Sequence, residues 1–93
     1  MPVKLTLATS GGSNYPLNLS KSWNNNFNNS AVSKRVVESN TESSYTTSLY
    51  FADEDALATY RSDNADVISA VNARKTANSL TTSRTVETVD SIP

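Results

Sequence analysis

The 93-residue chain contains no cysteine and no histidine, and it has only two glycines, three prolines and one tryptophan. Without cysteine there is no disulfide, no thiolate nucleophile and no Cys-ligated zinc. Without histidine the commonest general base near neutral pH and the commonest metal ligand are missing too. No apolar run approaches the ~18 residues that would cross a bilayer. The N-terminus alternates polar and apolar residues instead of carrying the core of a secretory signal. A cytoplasmic protein without membrane contact is the expectation. A net charge of −1 and a pI of about 5.2 leave no electrostatic footprint for phosphate backbones, so no nucleic-acid partner is expected.

What is present is polar. Serine, threonine and asparagine occur 15, 11 and 11 times, and apolar residues make up 37% of the chain. Such composition often accompanies disorder, but disorder usually brings high net charge or clustered Pro and Gly, and neither occurs here. The chain reads as one domain over residues 1–93, with 89–93 as a tail. A domain this short hides only about 60–65% of its unfolded surface, so its core must be small and cover by a partner would help.

The segment KSWNNNFNNSA (residues 21–31) resembles a linker, yet it holds the only tryptophan and one of two phenylalanines. On a helix, Leu19, Trp23 and Phe27 fall within about 80° of one another while Asn24, Asn25, Asn28 and Asn29 point elsewhere. The spacing predicts a helix from Leu17 or Leu19 to Ala31, with the aromatics buried and the asparagines solvated. Asparagine is a poor helix former, so packing must hold it.

Elsewhere the periodicity is plainer. Val3, Leu5 and Leu7 alternate with polar neighbours, as in a half-buried strand. SKRVVES centres a second strand on Val36 and Val37, and NTESS is a turn. Tyr45, Thr47, Leu49 and Phe51 share one face of a third strand. From Asp53 the period becomes helical, with Leu57, Tyr60, Asn64, Val67, Ile68 and Val71 on one stripe. Ser62 and Asp63 could cap the chain afresh, which allows two abutting helices. Leu80–Val89 closes as a fourth strand. The order β-α-β-β-α-β is the ferredoxin-like plan, an α+β fold with a four-stranded antiparallel sheet and two helices on one face. The other sheet face is left bare, with Tyr50 on it, and a homodimer joined sheet to sheet would cover it.

The stretch TTSLYFADEDALATYRSDNADVISAVNARK, Thr46 to Lys75, resembles the dimeric α/β-barrel group of ferredoxin-like proteins, which includes antibiotic-biosynthesis monooxygenases and stress-responsive barrel proteins. The likeness is a strand running into an acidic, alanine-rich helix with one aromatic, then a break and a second helical stretch. It implies a dimer whose sheet faces pair into a barrel. The monooxygenase branch, as the resemblance implies, can work without metal or flavin, using Asn, Trp, Tyr or Arg beside a substrate that itself activates oxygen. Haem-degrading relatives use a histidine, and this chain has none.

Four residues are candidates for a ligand site between helices and sheet. Trp23, Asn26, Tyr60 and Asn64 put ring edges or polar atoms on otherwise apolar stripes. The alternative is structural: the asparagines cap nearby backbone and the aromatics fill the core. The acidic run Asp53–Asp55 could attract a hard cation, but complementing the helix dipole explains it as well. No metal and no cofactor is expected. An RNA-recognition domain shares the element order but needs exposed aromatics on both central strands, and the first strand has none. Three functions follow: a binder of a small apolar molecule, a cofactor-independent monooxygenase, or a non-catalytic assembly or phage accessory protein.

Overall fold

Alternation of apolar and polar residues makes β1 (Val3–Ser10) a strand with two chemically distinct faces. In the computed structural model, which describes residues 1–11, 27–41 and 44–93, it is followed by β2 (Lys34–Asn40) and β3 (Ser44–Phe51). Two abutting helices come next, α1 (Glu54–Asp63) and α2 (Ala65–Ala77), and then β4 (Thr81–Thr88). The strands lie in the order β2-β3-β1-β4 with every neighbouring pair antiparallel. This is the expected ferredoxin-like α+β arrangement. Each long connection skips one strand, as a crossover must.

Register explains where the core sits. Val3, Leu5, Leu7 and Thr9 of β1 face Phe51, Leu49, Thr47 and Tyr45 of β3. Val3, Leu5, Leu49 and Phe51 form the buried cluster together with Leu57 and Tyr60 of α1. Phe51 is fully enclosed and its ring meets Tyr60 at 5.4 Å, tilted by 59°. Towards the other end of the same face the side chains turn polar, and Leu7 is only partly buried. The core is therefore one-ended.

Asp53 caps α1, its carboxylate accepting from the Ala56 N–H at 2.8 Å, and Glu54 and Asp55 occupy the first turn. The acidic run thus serves the positive end of the helix. Among the described residues no cluster of three or more acidic side chains could hold a metal. At the other end of the helical pair, Ser79 N–H donates to the Thr76 carbonyl and Leu80 N–H to that of Lys75. These are the two bonds of a Schellman motif, with Ser79 in the left-handed position at φ 61°.

The expected asparagine-rich helix lies mostly outside the described residues, Trp23, Asn25 and Asn26 included. Its expected last turn does differ: residues 27–31 are not helical. The asparagines are the reason. Asn28 Oδ1 accepts from the Ser30 N–H and Asn29 Nδ2 donates to the Phe27 carbonyl, offering the backbone a local alternative to helix bonds. Phe27 still packs on the core, as the stripe requires.

The opposite sheet face carries Lys4, Thr6 and Ala8 of β1 beside Tyr50, Ser48 and Thr46 of β3. Tyr50 was expected to need a partner's cover, yet it is 7% exposed within the single chain. Lys4 Nζ lies 5.9 Å from its ring centroid, and Lys4 is held in turn by Glu38 and Glu87 at 3.9 Å. Glu38 reaches this face at a β-bulge between Val37 and Ser39, where it accepts from the Ser48 hydroxyl at 2.9 Å.

A serine at the left-handed position carries a Cβ penalty that glycine does not. Ser79→Gly is expected to stabilise the protein by about 0.5–1 kcal/mol, read as a higher denaturation midpoint with an unchanged slope.

Candidate functional site

The polar end of the helix-covered face is where the interior opens. A void of about 530 Å³ lies between α2 and the sheet, lined by Leu5, Leu7, Phe27, Tyr60, Ile68 and Val71 among others. Its volume is in the range of small-molecule pockets. A smaller recess of about 40 Å³ adjoins it, walled by Thr9, Arg35, Tyr45, Thr47 and Leu49. Leu7, Phe27, Tyr60 and Lys75 line both.

Of the two sequence-predicted site residues that are described, Tyr60 lies on these walls and Asn64 does not. Tyr60 is buried, stacks on Phe27 at 6.2 Å with ring planes 14° apart, and touches Phe51 on its other side. Burial pushes its phenol above the usual range, and the positive charges of Arg35 and Arg84 partly offset that.

Asn64 sits behind the void, at the α1–α2 junction, and is 1% exposed. Its Nδ2 donates to the carbonyls of Asn28 and Tyr60, each at 2.8 Å, and its Oδ1 accepts from the Asn28 N–H. Every polar atom of the amide is therefore engaged by main chain. It clamps the segment carrying Phe27 onto the helix carrying Tyr60. Trp23 and Asn26 lie outside the described residues.

The periodicity of the sequence did not single out Arg35, Lys75 and Arg84. Lys75 leaves the last turns of α2 and donates to the buried Thr9 hydroxyl at 3.2 Å. Burial pulls its ammonium below the ordinary lysine range, and repulsion from Arg84 adds to that. Arg35 donates to the Tyr45 hydroxyl at 2.8 Å, and Arg84 to Asn72 Oδ1. The Thr47 hydroxyl, buried in the wall of the recess, has no hydrogen-bond partner among the described residues. A basic residue in the last turn of a helix reads as dipole complement, so no sequence signal separated Lys75 from Arg74.

No protein-family profile matches the chain, and no characterised protein sequence matches it significantly. Solved structures do match. SnoaB, a cofactor-independent oxygenase from Streptomyces nogalater, superposes with a TM-score of 0.56 over 98% of this chain and 95% of its own, at 12% identity. A single-residue variant of SnoaB gives 0.59 at 11% identity. NE2512, a protein of unknown function from Nitrosomonas europaea, gives 0.60 over 99% and 94% of the two chains, at 12% identity. The fold is shared. The resemblance to the dimeric α/β-barrel group is thereby borne out at the level of fold.

Two stability predictions follow from this geometry. Asn64→Ala is expected to cost about 2–3 kcal/mol, because it removes three hydrogen bonds made by an amide that is 1% exposed. Asn28→Ala should cost less than about 1 kcal/mol, since Asn64 grips only the backbone there. Chemical denaturation of both variants checks the contrast. For Lys75, a depressed folded-state pKa means that the charged form is penalised on folding. Lys75→Met is therefore expected to be more stable than wild type at neutral pH. The advantage should shrink as pH rises through the depressed pKa towards the ordinary lysine value of about 10.4. An advantage independent of pH across that window would contradict the assignment.

Proposed function

We propose that this domain binds a small, largely apolar molecule in the void between α2 and the sheet. The observation that carries this is the void itself, about 530 Å³ beside a buried apolar cluster that holds six of the described residues. It is a cleft with an apolar wall, which hydrocarbon from a ligand would remove from water. Leu5, Leu7, Phe27, Ile68 and Val71 supply an apolar wall, and Tyr60 a phenolic edge. Trp23 and Asn26 belong to the proposed site as polar atoms or ring edges on the apolar stripe expected from the sequence. Asn64 supports it from behind by fixing Phe27 over Tyr60.

The oxygenase reading is favoured by one finding, the fold shared with SnoaB, a cofactor-independent oxygenase. A chain without histidine or cysteine would depend on an activated substrate and on positioning by Tyr60, Arg35 and Lys75 rather than on a strong protein base. The homodimer belongs to the same proposal. The sheet face opposite the helices presents the half-buried Thr6, Ala8, Val36 and Thr46, a flat surface of small residues suited to a second copy. We assign the protein to the cytoplasm on composition, and no described helix is long and apolar enough to cross a membrane. Residues 1–93 act as one unit in this reading.

A neutral aromatic probe should bind and shift the amide resonances of Phe27, Tyr60 and Val71, while Ile68→Trp, which fills the void, should abolish the shifts. Shifts confined to other residues, or unaltered by Ile68→Trp, would refute the site. Light scattering should give the mass of a dimer, with an interface of about 800 Å² per partner. A monomeric mass at micromolar concentration would remove the dimer.

A further inference from the structure

The charged groups around the void are all of one sign. Lys75 lines both the void and its recess, Arg35 lines the recess, and Arg61 and Arg84 line the void. No Asp or Glu lines either among the described residues; outside them the sequence has none from 12 to 26 and a single one elsewhere, Glu42. The hydrogen-bond partners of the inner three cations are neutral: Thr9, Tyr45 and Asn72. Lys4, on the other sheet face, has two carboxylates for its single ammonium. Of the inner three, Lys75 is the partly buried one, while Arg35 and Arg84 are exposed; a partly buried cation is ordinarily paired as Lys4 is, because desolvation without a counter-charge is costly.

Lys75 has donors to spare. An ammonium carries three N–H groups, and the Thr9 hydroxyl takes one of them at 3.2 Å. Thr47, 4% exposed, lines the recess that Lys75 also lines, and its enclosed hydroxyl has no partner among the described residues. An ammonium with donors to spare and no carboxylate among the described residues lining its cavity is an anion's hydrogen-bonding environment left incomplete.

We propose that the ligand is a small organic acid, its apolar body among Leu5, Leu7, Phe27 and Val71 and its carboxylate at Lys75, flanked by Arg35 and Arg84. The inference rests on the reading of the void as a ligand site and adds the charge of what fills it. A phosphate fits less well. Lys75 lies in the last turns of α2, the end where the helix dipole opposes negative charge, and a doubly charged group would meet that opposition more strongly. A single carboxylate on an apolar body matches the one-sided charge and the hydrocarbon wall together.

The test compares naphthoate with its neutral isostere naphthamide by isothermal titration calorimetry at neutral pH. Wild type should bind naphthoate at least about tenfold more tightly. Lys75→Met should bring that ratio to about one, through loss of naphthoate affinity, with naphthamide affinity changed by less than about twofold. Raising ionic strength should weaken naphthoate binding to the unmodified protein and leave naphthamide alone. Equal affinities in wild type, or a preference that survives Lys75→Met, would overturn the organic-acid assignment and leave the apolar binding site standing. Binding of neither probe up to about 1 mM would overturn both.

Discussion

The side-chain amide of Asn64 forms three hydrogen bonds to main chain 36 and 4 residues away, and the helix-covered half of the structure is organised around them. Asn64 lies where α1 gives way to α2, so its bonds to Asn28 fix the returning segment against the break between helices. Phe27, one residue earlier, is thereby laid parallel to Tyr60. Tyr60 in turn closes the aromatic contact with Phe51 at the centre of the core. A buried amide is a severe constraint, because any change of backbone position there would leave groups unsatisfied in a place water does not reach. That rigidity sets the edge of the void: Phe27 and Tyr60 form a fixed wall on the side where the amide acts.

The remaining walls show the opposite economy of design. On β1 and β3 the helix-facing residues run from Val3 and Phe51 to Thr9 and Tyr45, so apolar burial fades along the strand. The helical cover fades with it: Val71 is buried, but Ile68 is only half covered. Into the less apolar end project Lys75 from α2 and Arg84 from β4, two cations whose mutual repulsion and burial lower the lysine's proton affinity. Stability alone would favour hydrocarbon at position 75. The lysine that stands there is held by the Thr9 hydroxyl.

Much of this architecture was legible because periodicity reports burial. The alternation of Val3, Leu5 and Leu7 and that of Tyr45, Thr47, Leu49 and Phe51 each fall on one sheet face. The helical stripe of Leu57, Tyr60, Asn64 and Val71 is buried, with the break between helices at Asn64. Periodicity failed where local side-chain chemistry competes with it. Residues 27–31 keep the apolar stripe of a helix, but Asn28 and Asn29 bond to neighbouring backbone and hold a turn. It failed again at Tyr50, whose cover comes from Lys4 on the neighbouring strand, a pairing that depends on register.

The sequence by itself determined the element order, the ferredoxin-like sheet and the inward faces of strands and helices, because each depends on residues a few positions apart and on the exclusion of apolar groups from water. It also excluded histidine and cysteine chemistry outright. Only the tertiary structure decided what the interior does. Arg35, Lys75 and Arg84 come from β2, α2 and β4, and nothing in their local sequence distinguishes them from solvated surface cations. Pairing of strands distant in sequence and the docking of α2 bring them to one void and its adjoining recess, lined by no carboxylate among the described residues, and there burial lowers the proton affinity of Lys75.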